Sequence, residues 1–470
     1  MKILLTHAYF LCEDAREQEI MKPYPPLGIL SISAYLEEKG MPNSVFDTTF
    51  SSFQLLEEEI RKNQPDVIGI YTNLMTKLNV LRVINLVKSL QPNQDTKVIL
   101  GGPEVKNHAA KFLEHGADYI VFGEGEETML ALIECIRDGA NLEHINGIAY
   151  TKNGGMLMNP ERDKMKDLDE LPFPNRKAIN LRLYLDAWKE RHGRNAISIN
   201  TMRGCPYSCK WCSRAVYGMS YRRRSPGRVV EEMKSLIANY QPDTLWFVDD
   251  VFTISHKWLA EFAEKIEAAN IQLPFECITR ADRMNKDVIQ LLKRAGCYRV
   301  WIGAESGSQK IIDAMDRRVD VNKVREMIIQ SRLAGIEAGT FIMVGYPGET
   351  EEDLKETLHH LKSSNPDYYT ITTAYPIKGT PLYEEMEPFF LEDLPWESST
   401  DRMIDFTRTY PRSYYDYAIR WIYNEMALHK AFTGTSIKAK IKIPIFKSKA
   451  LGARMMMQVQ KRFTKSKDTQ

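Results

Sequence analysis

Over residues 1–145, short apolar runs alternate with stretches whose apolar positions recur every three or four residues. The runs at 2–6, 43–47, 67–71, 97–100 and 119–122 predict strands, and the periodic stretches at 28–39 and 78–90 predict helices. Strand and helix in that rhythm predict a parallel sheet with right-handed crossovers, a Rossmann-like α/β domain. The rhythm returns later. Strands are predicted at 196–200, 244–249, 274–279, 299–304, 340–344 and 369–374, trailed by amphipathic helices such as 229–240 and 257–269. Six repeats fall short of the eight that close a barrel, so a partial (β/α)6 barrel, open on one side, is expected.

Between these halves, Gly154-Gly155 and the extended stretch LPFPN (171–175) mark turns and a linker. Beyond about residue 391 the alternation stops and an aromatic helix, 413–432, is predicted. The expected organisation is therefore a first domain over 1–145, a linker over 146–190, a barrel over 191–390 and a mainly helical region over 391–470.

Ligands of parallel sheets bind beyond the carboxyl ends of the strands. In the first domain those ends carry Thr72 and Leu74, then Gly101, Gly102 and Pro103, then Gly123, Glu124, Gly125 and Glu126. Small residues there let a bulky ligand approach the backbone. No G-x-G-x-x-G follows the first strand, which argues against a dinucleotide site. In the second half the strand ends carry Asp249 and Asp250, Arg280 and Asp282, Glu305 and Ser306, and the loop from Gly345 to Glu349. Helix capping would explain any one of these. Their recurrence along one rim favours a ligand site. Asp249 and Asp250 are adjacent, so they point to opposite faces and do not form an acid–base pair.

The loop TMRGCPYSCKWCSR adds a metal signature, with Cys205, Cys209 and Cys212 in C-x3-C-x2-C spacing. A structural zinc site wants four closed ligands, and no fourth cysteine or suitably spaced histidine lies near. Three thiolates without a fourth protein ligand suit a [4Fe-4S] cluster with one open iron. Packing as small apolar residues is the plain alternative, but Gly204, Pro206 and Lys210 mark an exposed loop.

Composition narrows the setting. The 470-residue chain has a formal charge of +1, so no global field favours a polyanionic partner. No apolar run reaches the roughly 18 residues that span a bilayer, and the other four cysteines form no disulfide pattern. A reducing, cytoplasmic location is expected. The last forty residues are basic, and 445–463 can be drawn as a helix with Leu451, Met455 and Val459 on one face. That tail reads as a solvated or domain-packing helix, or as one resting on an anionic membrane surface. No aromatic–basic interleaving points to nucleic acid.

The cysteine spacing with Trp211 before the last cysteine resembles the signature of the radical S-adenosylmethionine (SAM) superfamily. The resemblance implies that Cys205, Cys209 and Cys212 hold the cluster and that SAM chelates its open iron. Cleavage of SAM there yields a 5'-deoxyadenosyl radical that abstracts hydrogen from an unreactive C–H bond. By the same likeness Asp249 and Asp250 lie where the SAM amino group is met. Arg280 corresponds to the basic residue near its carboxylate, Glu305 with Ser306 to the ribose-binding turn, and Gly345 to the strand beside the adenine. The N-terminal motifs KILLTHAY, VIGIYTNL, VILGGPE and DYIVFGEGEETM resemble the cobalamin-binding domain of one radical SAM class. The Asp-x-His-x-x-Gly loop of methionine-synthase-like domains is absent, and the neighbours of His7 do not fit it. The likeness thus implies a displaced nucleotide tail and no protein imidazole on cobalt.

The implied cofactors are a [4Fe-4S] cluster, SAM and cobalamin. The implied partners are a small-molecule or lipid-like substrate and an external one-electron reductant such as flavodoxin or ferredoxin. Methylation of an unactivated carbon leads the activities implied. Oxidative cyclisation or rearrangement of the anaerobic magnesium-protoporphyrin ester cyclase type and a non-catalytic corrinoid or cluster sensor are the alternatives.

Overall fold

The computed structural model describes residues 1–90 and 95–465. Its first sheet contains β1 (Ile3–Thr6), β2 (Ser44–Val45), β3 (Val67–Tyr71), β4 (Lys97–Gly101), β5 (Tyr119–Val121), β6 (Ile148–Lys152) and β7 (Gly155–Met158). The strand order is β2-β1-β3-β4-β5-β6-β7. The first five pair in parallel, and β6 and β7 are antiparallel. The hairpin at 148–158, read from sequence as the start of the linker, thus extends this sheet. Order 2-1-3-4-5 is that of a doubly wound fold, with its switch point between β1 and β3.

Alternation along each strand builds two cores. Leu4, Ile68, Ile70, Val98, Leu100 and Ile120 share one buried cluster, whereas Ile3, Leu5, Val67, Ile99 and Val121 belong to another. Successive strand residues point to opposite faces, so a sheet covered by helices on both sides must be apolar at every position. The helices Phe53–Asn63 and Lys77–Ser89 cover the first face, and Leu27–Glu38 and Gly125–Asp138 the second.

The later strands are β8 (Ala196–Ile199), β9 (Met202–Arg203), β10 (Arg222–Arg223), β11 (Thr244–Phe247), β12 (Phe275–Thr279), β13 (Cys297–Glu305), β14 (Glu337–Val344) and β15 (Tyr368–Thr373). The barrel strands follow in the order β8-β11-β12-β13-β14-β15, a (β/α)6 half barrel. The short β9 and β10 form a separate antiparallel pair that brackets the cysteine loop. Local signals fix the crossover helices. Ser225 accepts the Arg228 N–H and Pro226 opens the helix Pro226–Tyr240, while Thr350 and Asp353 form a capping box at Glu351–Ser364.

The chain forms two compact units. The first comprises Met1–Pro206, Ser213–Val248 and Leu394–Arg402, and the second Tyr207–Cys212, Asp249–Asp393 and Met403–Gln470. Among the described residues, no helix is long and apolar enough to cross a membrane.

Candidate active site

In the first unit the chain leaves β9 through Gly204 to reach Cys205. Gly204 has φ +85°, and a Cβ there would overlap Ser220, so this turn requires glycine. Just before it, Arg203 is clamped by Glu126, with Nη1 donating to Oε2 at 3.2 Å and Nη2 to Oε1. Glu124 accepts from Arg222 at 2.6 Å and from the Met165 N–H at 2.8 Å. Burial alone would raise the Glu126 carboxyl, but Arg203 holds it below the usual carboxylate range. The two acids predicted at the end of β5 therefore anchor the strands that bracket the cysteine loop.

A cavity of about 260 Å³ lies on the face of the first sheet covered by the helices Leu27–Glu38 and Gly125–Asp138. Of the residues named from sequence, Gly101, Gly102, Pro103, Gly123, Glu124, Gly125 and Glu126 line it, whereas Thr72 and Leu74 do not. Thr72 is buried and its N–H donates to the Gly101 carbonyl at 2.7 Å. Gly102 has φ +109°, and a Cβ there would run into the Thr72 carbonyl. Sequence reasoning missed Leu5, Gly28, Ile32, Gly69, Met129 and Tyr217 in the wall. The signal for Gly69 was present: a glycine inside the strand VIGIY marks a close approach.

A second cavity of about 530 Å³ opens at the switch point, lined by His7 and Tyr9 after β1, Asn73 and Met75 after β3, and Ser198 and Val248. His7 does not offer a lone pair to it. Its Nε2 lies 2.9 Å from Asp47 Oδ1, and its Nδ1 accepts the Tyr9 N–H at 3.3 Å. Burial would raise Asp47, but the hydrogen bond and charge of His7 lower it, and Tyr184 donates to the same carboxylate.

Glu104, His108 and Asp401 form a buried group of metal-ligand types. The indole N–H of Trp396 donates to His108 Nδ1 at 2.9 Å. A neutral imidazole then carries its proton on Nε2, which lies 3.4 Å from Glu104 Oε1. The three side chains offer ligand atoms that lie within 4.8 Å of one another. Burial, with Asp401 nearby, pushes Glu104 up to about 7.

In the second unit Cys209 is buried and Cys212 half-buried, and the Cys212 N–H donates to the Cys209 carbonyl at 3.3 Å. No cysteine among the described residues is in a disulfide. Lys210 ties the loop to its surroundings, its N–H donating to the Met315 carbonyl at 3.1 Å and its carbonyl accepting from Leu382 at 3.0 Å. Trp211 packs on Ile311, Met315, Tyr346, Ala374 and Leu382.

Arg280, at the exit of β12, is buried, and each of its three nitrogens makes a hydrogen bond. Nε bonds Asp282 at 2.9 Å, Nη1 the Sγ of Cys209 at 3.6 Å, and Nη2 the Arg317 carbonyl at 2.7 Å. Glu305, ending β13, adopts φ +66° and lies 3.4 Å from Arg317 Nη1. Burial raises its carboxyl, with Arg317 and Arg280 pulling the other way. Ser306 is committed within the turn, 3.2 Å from Thr357 Oγ1 and accepting the Ser308 N–H at 3.1 Å. Asp249 is buried and Asp250 exposed, and desolvation, then Asp249, raises the Asp250 carboxyl. The Gly345 N–H donates to the buried Glu349 carboxylate at 2.5 Å, and burial pushes Glu349 up to about 8.

These residues fit the implied groups. Three cysteines on one loop, with a guanidinium donating to one sulfur, suit an iron–sulfur cluster. A glycine-walled cavity also lined by Leu5, Ile32, Ile99, Val121 and Met129 suits the nucleotide tail of a corrinoid.

Family comparison agrees with both halves. The Radical SAM superfamily model matches residues 199–361, and the B12 binding domain model matches residues 19–133. The chain belongs to the radical SAM enzymes that carry a B12-binding domain. The cofactors of those two domains are a [4Fe-4S] cluster, SAM and cobalamin. Among relatives, the uncharacterized methyltransferase PH0819 of Pyrococcus horikoshii is 28% identical over 392 residues, covering 82% of this chain and 83% of the relative. The anaerobic magnesium-protoporphyrin IX monomethyl ester cyclase of Rubrivivax gelatinosus is 26% identical over 403 residues, covering 82% and 70%. The solved structure of the cobalamin-dependent SAM radical enzyme OxsB, with aqua-cobalamin and SAM bound, shares the fold. Its TM-score is 0.76 at 16% identity, covering 97% of this chain and 72% of that one.

Proposed function

We propose that this enzyme methylates an unactivated carbon of a small-molecule or lipid-like substrate. The observation that carries the corrinoid half of the reading is the cavity walled by Gly69, Gly101, Gly102 and Gly125 on a doubly wound sheet. The likeness to PH0819, named a methyltransferase, supports methyl transfer as the outcome. When bound, the cofactors supply the hydrogen-abstracting agent and the methyl carrier.

The chain's own residues bind, orient and shield. Cys205, Cys209 and Cys212 hold the iron. Arg280 keeps positive charge against Cys209, where it would also meet the carboxylate of SAM. Glu305 would hold the SAM ribose, Asp250 its ammonium group and the Gly345 loop its adenine. Trp211 buttresses the loop through its apolar contacts. With both His7 nitrogens engaged, no imidazole from that residue reaches the metal. In this reading residues 1–145 take the corrinoid, 191–390 form the barrel and 391–470 set substrate choice. A flavodoxin or ferredoxin supplies single electrons in a reducing cytoplasm.

Oxidative cyclisation is the second reading, supported by the likeness to the Rubrivivax enzyme. The test is an anaerobic extract of a strain lacking the gene, given reconstituted enzyme, reductant and SAM carrying a deuterated methyl group. A product bearing the intact deuterated methyl, formed with equal S-adenosylhomocysteine and 5'-deoxyadenosine, is expected. A product that loses hydrogen and gains no label would replace this reading with the second.

A further inference from the structure

The helix Ile443–Lys465 has two apolar faces, and only one of them is used inside the protein. Ala450, Ala453 and Met457 are buried where the helix packs along Arg412–Thr433. Polar contacts fix that orientation. Ser413 Oγ donates to Gln460 at 2.8 Å, and Gln458 and Lys461 reach Glu351 at 3.2 and 3.0 Å.

On the opposite face Leu451, Met455 and Val459 follow at intervals of four and are 56%, 60% and 42% exposed. Ile445 joins them, and the preceding short helix Ile437–Ile441 presents Ile437 and Ile441 at 74% and 72% exposure. Isolated apolar residues on a surface are ordinary, but a row of six along two consecutive helices is not. Lys447 and Arg454 flank the row on one side and Lys449 on the other, all exposed. The last forty residues carry ten lysines and arginines against one acid, Asp468. Lys467 and Asp468 lie outside the described residues.

We infer that this face seats the enzyme on an anionic lipid bilayer, the apolar row entering the headgroup boundary and the flanking cations pairing with lipid phosphates. A second copy of the chain fits the face poorly, because self-pairing would set Lys447, Lys449 and Arg454 against their own kind with no acidic row opposite.

The test is cosedimentation of the full-length, anaerobically reconstituted protein with vesicles of phosphatidylglycerol and phosphatidylcholine, against phosphatidylcholine alone. Binding to the anionic vesicles is expected, weakening as salt is raised. The triple variant Lys447→Gln, Lys449→Gln, Arg454→Gln should bind on the order of 100-fold more weakly. The variant Leu451→Ser, Met455→Ser, Val459→Ser should lose at least about tenfold while keeping its iron content and helical circular dichroism. Equal partition onto both kinds of vesicle, or undiminished binding by either variant, overturns the inference. So does a dimer in ultracentrifugation that the serine variant converts to monomer without loss of vesicle binding. Should the serine variant fail to fold, the glutamine variant, altered only at exposed polar positions, decides.

Discussion

The guanidinium of Arg280 donates to the Sγ of Cys209 at 3.6 Å, although the two residues stand 71 positions apart. A donor on a ligating sulfur withdraws charge from it and favours the reduced state of a cluster. Arg280→Gln removes that positive charge. The expected outcome is retained iron with a midpoint potential lowered on the order of 60 mV, a tenfold change in a one-electron equilibrium. Spectroscopic redox titration under anoxic conditions measures it, and an unchanged or raised potential would contradict the assigned role.

Replacing Cys205, Cys209 and Cys212 by alanine together should abolish iron and sulfide binding and leave cobalt binding intact. The cavity proposed for the corrinoid is walled by residues that include none of the three cysteines. Metal and sulfide counts on the reconstituted variant check this. Loss of cobalt alongside iron would mean that the two cofactors are not held independently.

Gly101→Leu should do the reverse. Gly101 has an ordinary backbone conformation, and a Cβ there meets only the Val121 carbonyl at 3.7 Å. The larger side chain would extend from the wall shared with Ile99 and Val121. Corrinoid affinity should fall at least about tenfold, the scale of a displaced apolar contact of roughly 1–3 kcal/mol, while iron content stays unchanged. Optical titration with hydroxocobalamin reads the first and iron analysis the second.

Glu349 predicts a pH dependence of stability. Burial raises its folded-state carboxyl from the ordinary 4.5 to about 8. A raised acid binds its proton more tightly in the folded state, so the penalty is absent below about 4.5, grows as pH rises, and is complete above about 8. Glu349→Gln can still accept the Gly345 N–H and does not ionise. Its melting temperature should exceed that of the parent increasingly between those two limits, by the equivalent of a few kcal/mol at the alkaline end. Thermal denaturation across pH tests this, and parallel curves would show that Glu349 does not titrate in that window.

Two kinds of information met in this protein. Strands, crossover helices and the cysteine loop were legible because their signals are local. Apolar residues at period 2 read out a strand's two faces, and C-x3-C-x2-C places three ligands together through the chain itself. The glycines at 101, 102, 123 and 125, bunched at strand ends, line one cavity. Boundaries slipped by a residue or two, as at β11, which ends at Phe247 and leaves Asp249 and Asp250 beyond the strand.

What no local pattern holds is the pairing of distant charges. Glu126, which lines the cavity, is also clamped by Arg203, 77 positions away. Arg280, named from sequence for the SAM carboxylate, also bonds Asp282, Cys209 and Arg317, which no local pattern announced. Ser306 was drawn into its own turn by Thr357, and His7 into a network with Asp47 and Tyr9. A buried polar side chain must find a partner within hydrogen-bonding reach. Sequence determined which groups this enzyme carries and in what order. Only tertiary packing decided which of them are consumed by that requirement and which remain to meet a ligand.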